Sequence, residues 1–311
     1  MFKPEEINVI PLIEDIPYIL NPEDIVMGYE GKREHMRVFL AKSDLAMNYG
    51  LISSVFALKY SLFKLREVEE KDGTKIYPII GFGSCPFRGG LNPETSQTII
   101  GEWRAVQTFT IQSAFKYDYS AKDVEKSIDL INRGKKKRAV EIDEEKVMEL
   151  IYKSSEEYRK QVHKLVDVVN RIATFAPKRR ERKLHIGLFG YSRSFDGTSL
   201  PRAISYCCAL YSIGVPPELF GLDIGRMWEF VLENSMVDEQ VSEAMKYSNP
   251  KVLEKFGINI NEIAGNIGIE IEIHEEHMRI TNEIWEVLRK NQLTMLQDKI
   301  VEAASIRRFL G

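Results

Sequence analysis

"IYPIIGFGSCPFRGGLNPE", residues 76–94, is the stretch whose reading decides the fold. Its first part, Ile76 to Phe82, is an almost unbroken apolar run. Strands buried on both faces look this way, as in a parallel sheet covered by helices. The rest, from Phe82 to Glu94, holds three glycines, two prolines and a lone arginine, Arg88. Pro93, following Asn92, reads as the first helical position after a good N-cap. Strand, glycine-rich loop and helix in that order form one repeat of an α/β chain. A fixed cation among glycines points to an anion held against backbone. The plainer reading is a surface arginine beside a glycine- and proline-rich turn.

The same apolar signature recurs in "INVIPLI" (7–13), "MRVFLA" (36–41), "QTFTIQ" (107–112) and "LHIGLFG" (184–190). Helical patterns lie between them. Residues from Asp44 to about Glu70 are apolar on most faces, which predicts a buried helix. Ser120 and Asp123 open a helix that ends at Gly134. A charged helix is expected over 142–175 and another from Pro201 to Ile213. Alternating strands and helices imply right-handed crossovers in an α/β fold. The strands are too few for a closed barrel and match the later strands of a partial (β/α)8 TIM-type barrel. Residues 1–222 form that part, and 223–311 form an appended, largely helical C-terminal region.

The 311 residues are 44% hydrophobic and 29% charged, with a formal net charge of −3. That balance belongs to a globular chain and speaks against a nucleic-acid binder, which usually shows a basic domain. No run approaches the ~18 apolar residues of a membrane span. The three cysteines, Cys85, Cys207 and Cys208, have no CxxC spacing and read as reduced thiols of a cytoplasmic protein. "KKKR" (135–138) and "KRRERK" (178–183) read as solvated charge runs. His274 and His277 lack a third metal ligand and read as surface residues of a helix.

In (β/α) barrels chemistry sits past the C-terminal ends of the strands. Those positions hold Glu14 and Asp15; Lys42, Ser43, Asp44 and Asn48; Arg88; Gln112 and Lys116; and Arg193 and Arg202. Glu14 and Asp44 could be ligands of Mg²⁺ or Mn²⁺, which take one or two carboxylates plus water and substrate oxygens. Each could equally be a solvated loop acid, and Asp44 a helix cap. Arg202 follows Pro201, in the first turn of an expected helix. The helix dipole disfavours a cation there, so a bound anion explains it better.

Taken together, "IPLIED", "AKSDLAMNYG", "YPIIGFGSCPFRGGLNPE", "FTIQSAFKYDY", "LHIGLFGYSRS", "LPRAI" and the final "IRRFLG" resemble the C-terminal part of archaeal-type phosphoenolpyruvate carboxylase. The resemblance implies a lyase that joins phosphoenolpyruvate and bicarbonate to give oxaloacetate and phosphate. Glu14 and Asp44 are similar to its divalent-metal carboxylates. Arg88, with Gly89 and Gly90, matches the glycine-rich substrate loop. Arg193 and Arg202 match arginines around phosphate and bicarbonate, and Gln112 matches a glutamine of the site wall. Mg²⁺ (or Mn²⁺) as cofactor and a homotetramer are implied too, with no nucleic-acid or membrane partner.

The chain also departs from the family. The catalytic histidine of the N-terminal T-Q-H-P-D motif has no counterpart here. The resemblance therefore implies a fragment, a truncated frame or one half of a split enzyme, incomplete without its N-terminal half. The competing readings are another Mg²⁺-dependent lyase of the phosphoenolpyruvate/pyruvate barrel type and a non-catalytic assembly subunit.

Overall fold

A computed structural model of the chain describes residues 9–29, 34–178, 194–195 and 197–311. The expected strand 184–190 and Arg193 lie outside them. The sheet is parallel, in the order β1 (Leu12–Ile13), β2 (His35–Ala41), β3 (Lys75–Gly81) and β4 (Thr108–Thr110). Spatial order equals chain order, as successive strand–helix–strand units produce. In β2 and β3, Val38, Leu40, Ile76 and Ile80 are fully buried. Their apolar runs are explained by helices packed over the sheet.

β1 is shorter than the expected strand 7–13. Pro11 cannot donate to a ladder; its carbonyl accepts the Phe39 N–H at 2.9 Å just before the pairing starts. At the other edge, β4 ends early because the chain turns at Gln112 into the helix Ser113–Tyr117.

The helix expected over 44–70 is two helices, Ser43–Tyr49 and Leu51–Asp72. Gly50 separates them with φ +88° and ψ 171°, a backbone region that is essentially glycine's own. Leu51–Asp72 is buried on nearly every face and packs against Glu144–His163. The expected helix 142–175 is also broken, into Glu144–His163 and Val166–Ala173. No proline or glycine marks that break. The Leu165 N–H turns back to the Val162 carbonyl, and Leu165 is buried. Packing decides it. The expected helix start at Pro93 is displaced to Ser96. Asn92 does cap backbone, accepting the N–H groups of Glu94 and Thr95, but in a turn that precedes the helix. Ser120 accepts the Asp123 N–H and starts the helix Ala121–Arg133, as the sequence leads one to expect.

Two surface assignments need correction. Lys136, in the run 135–138, pairs with Glu69 at 2.7 Å and donates to the Ile76 carbonyl at the start of β3. His277 is fully buried, its Nε2 2.7 Å from Arg307 Nη1. Burial and the neighbouring guanidinium push its pKa down to about 2. His274 does stay at the surface and caps the helix Glu275–Arg289. Cys207 and Cys208 are buried in the core, as expected.

One hydrophobic cluster runs from Ile13 through the sheet and its helices to Leu310. Gly50 sits at the heart of it, where an added Cβ would lie 3.0 Å from the Tyr158 ring. Gly50→Ala is expected to destabilise the protein by about 2–3 kcal/mol, read as a lower urea midpoint at unchanged m-value. An unchanged midpoint would mean that the helix pair tolerates another backbone path.

Candidate active site

The loop after β3 is held by its own backbone. The Gly83 N–H donates to the Arg88 carbonyl at 2.8 Å, and the Leu91 N–H returns to the Gly83 carbonyl at 2.9 Å. Between them, Pro86–Arg88 forms a single 3₁₀ turn closed by the N–H groups of Arg88, Gly89 and Gly90. Gly89 has φ +113°, and a Cβ there would lie 2.3 Å from the Phe82 ring. This glycine makes room for Phe82. Gly83 makes room for the arginine, since a Cβ there would lie 2.8 Å from Arg88 Cζ.

Arg88 is 6% exposed. A buried guanidinium must find acceptors for its donors or carry a large desolvation cost. Nε donates to Ser43 Oγ at 3.1 Å, Nη2 to Gln112 Oε1 at 2.5 Å and Nη1 to the Gly311 oxygen at 2.6 Å. These partners come from the end of β2, the end of β4 and the last residue of the chain. Gly311 in turn sits on the helix Ala203–Ser212, where a Cβ would lie 2.2 Å from the Ile204 carbonyl. Arg202 stands just before that same helix, in extended backbone and without a side-chain cap bond, not in the first turn the sequence suggests. Arg88, Gln112 and the start of Arg202's helix are thus tied through shared contacts.

The carboxylates separate by role. Asp15 caps the helix Ile16–Leu20 and accepts the Tyr49 hydroxyl at 2.7 Å. Glu14, one residue past β1, is partly exposed. Asp44 is partly exposed in the first turn after β2, next to the Ser43 that holds Arg88. Because β1 and β2 pair in register at Ile13 and Leu40, Glu14 and Asp44 emerge from adjacent strand ends. Among the described residues no group of three or more His, Cys, Asp or Glu is placed to hold a metal.

Beneath the loop lies a polar floor that sequence reasoning missed. Glu218 is 0% exposed. Its Oε1 accepts the Phe87 N–H at 2.6 Å, the Tyr211 hydroxyl at 2.7 Å and the Cys85 thiol at 3.5 Å. Burial pushes its pKa up to about 7, against the pull of these donors. Lys42, noted in the sequence as a strand-end cation, points into the floor and donates to Ser54 Oγ at 2.5 Å. Burial brings its amine down to about 7, opposed by the charges of Glu218 and Cys85. Phe87 packs between Tyr158 and Tyr206, whose hydroxyls lie 2.8 Å apart. Only the "PPEL" turn signals Glu218 in the sequence, and it carries no sign of burial.

The raised Glu218 pKa has a defined sign. Between the ordinary 4.5 and about 7, the folded protein binds the proton that the unfolded chain releases, so stability falls as pH rises. Glu218→Gln has no such proton. Thermal melts are expected to shift in the variant's favour, relative to the parent, from pH 5 to pH 8. A pH-independent difference would count against a protonatable, buried Glu218.

A family model described as phosphoenolpyruvate carboxylase matches residues 1–311. Similar curated proteins carry that same name. The one from Methanothermobacter thermautotrophicus is 47% identical over 319 residues, covering 100% of this chain and 65% of its own length. Those from Methanospirillum hungatei and Pyrococcus furiosus are 42% and 41% identical, again over 100% of this chain. The chain spans 64–65% of the length of these relatives.

Proposed function

The chain belongs to the phosphoenolpyruvate carboxylase family, and on that premise we propose that it carries the metal- and anion-binding wall of an enzyme that makes oxaloacetate and phosphate from phosphoenolpyruvate and bicarbonate. The observation that carries this reading is Arg88, buried at a strand end and shared between Ser43, Gln112 and Gly311. Each partner offers this guanidinium an oxygen. A phosphate or carboxylate offers oxygens in bidentate geometry and with full charge, so it competes well for the same donors.

Arg88 then clamps the substrate anion, with Gly89 and Gly90 shaping the loop and Gln112 orienting the guanidinium. Arg202 and Arg193 supply further positive charge around phosphate and bicarbonate. Glu14 and Asp44 are hard oxygen donors on adjacent strand ends, and two carboxylates are what Mg²⁺ or Mn²⁺ usually takes from a protein. When bound, the ion supplies Lewis acidity and neutralises developing negative charge. The buried loop and the apolar packing of Phe82 and Phe87 beneath it exclude water from that side, which protects an enolate from protons.

The same reading takes residues 1–222 as the later part of a (β/α)8 barrel. The parallel order of β1 to β4 supports it. Residues 223–311 form the helical C-terminal region, the assembly is a homotetramer, and the enzyme works in the cytoplasm. Among the described residues no helix is long and apolar enough to cross a membrane.

Calorimetry with phosphoenolpyruvate, with and without Mg²⁺, tests the reading on this chain. Metal-dependent binding is expected, weakened about tenfold or more by Arg88→Ala, the worth of a lost charged hydrogen bond. Asp44→Asn is expected to abolish the metal dependence. A folded protein that binds no phosphoenolpyruvate, or binds it equally without metal, overturns the assignment and favours an assembly role.

A further inference from the structure

We propose that Glu218 is a positioning residue for Arg88, anchoring the glycine-rich loop through the Phe87 N–H and fixing that loop to the helix that carries Arg202. The proposal rests on the substrate-site reading above and adds what holds the site's two described arginines in register.

The loop satisfies most of its own N–H groups. Those of Gly83, Arg88, Gly89, Gly90 and Leu91 all return to loop carbonyls. The Phe87 N–H leaves the loop and donates to Glu218 at 2.6 Å. Phe87 immediately precedes Arg88, so this bond sets the direction in which the arginine departs. The second donor to the same oxygen is Tyr211, on the helix Ala203–Ser212. Between Tyr211 and Glu218 the chain folds back through Gly214, Pro216 and Pro217, and the Gly214 N–H bonds the Tyr211 carbonyl at 3.0 Å. The proline-stiffened return leaves the carboxylate little freedom. One oxygen thereby joins the Arg88 loop to the helix whose N-cap is Arg202.

A carboxylate is a costly choice for such a position. Removing it from water is strongly unfavourable, and an apolar residue of similar size is often neutral or better for stability. Its Oε2 is buried without a hydrogen-bond partner, so the group does not sit here for its own solvation. Lys42 provides compensating charge from the end of β2 without an ion-pair contact. A packing role alone does not require an acceptor aimed at one loop amide.

Glu218→Gln keeps the acceptor oxygen, and Glu218→Leu removes it. Hydrogen exchange of the free, full chain reads the anchor directly. In the leucine variant the Phe87 and Arg88 amides are expected to exchange about tenfold faster, the worth of one lost buried hydrogen bond, with β2 and β3 unchanged. The glutamine variant is expected to match the parent. Phosphoenolpyruvate affinity, by calorimetry with Mg²⁺, is expected to fall about tenfold in the leucine variant alone. Loop exchange and affinity both unchanged in a folded Glu218→Leu overturn the proposal. So does faster exchange that spreads equally to β2 and β3, which marks a general structural role. Should the leucine variant not fold, Tyr211→Phe removes the orienting donor. It is expected to loosen the loop amides selectively, and an unaltered loop again overturns the idea. If the parent binds no phosphoenolpyruvate, the substrate reading fails, while the exchange data still decide whether Glu218 anchors the loop.

Discussion

Burying a guanidinium constrains this structure more than any other single requirement. Arg88 is almost fully enclosed, so its planar set of donors must be met by protein acceptors in matching directions. Ser43, Gln112 and Gly311 lie 45, 24 and 223 residues away in the chain. Their meeting requires parallel strands whose ends line up, a loop that rises between them, and a C-terminal segment that folds back across the helix Ala203–Ser212. A fault in any of these leaves a buried cation without its partners, which costs several kcal/mol.

The loop's glycines serve that arrangement from the inside. Gly83 lets the guanidinium lie flat against backbone, and Gly89 admits Phe82 underneath. Phe82 in turn packs on Trp103 and Phe109, and Phe87 on Tyr158 and Tyr206. The loop is thus seated on a bed of aromatic rings. That apolar bed is interrupted by the buried polar group of Glu218, Lys42 and Cys85, where burial pushes the carboxyl and the amine toward their neutral forms.

Much of the candidate site was legible because chemistry-bearing residues recur at one position in the repeat. Near-continuous apolar runs mark parallel strands whatever their neighbours, and the residue types after each run name its chemistry. Glu14, Asp44, Arg88, Gln112 and Arg202 are candidates read in this way, and the structure sets Glu14 and Asp44 past adjacent strand ends and joins Arg88 to Gln112. His277 was legible and overlooked. It lies on the same stripe as Ile280, Thr281, Ile284 and Leu288, which places it inside rather than at the surface. Glu218 was not legible, since a glutamate in a proline turn ordinarily faces water.

The sequence by itself determined the strand-and-helix alternation, the parallel sheet, the family resemblance and which polar residues follow the strand ends. Those depend on local periodicity and on residue types, which each segment carries within itself. Only the tertiary structure decided where the long helices break, which of two adjacent acids caps a helix, why Gly83 and Gly89 are needed, and that Lys42, Glu218 and His277 are buried. Each of these follows from contacts between segments far apart in the chain. Burial and its electrostatic consequences belong to the packed whole, and no window of sequence contains them.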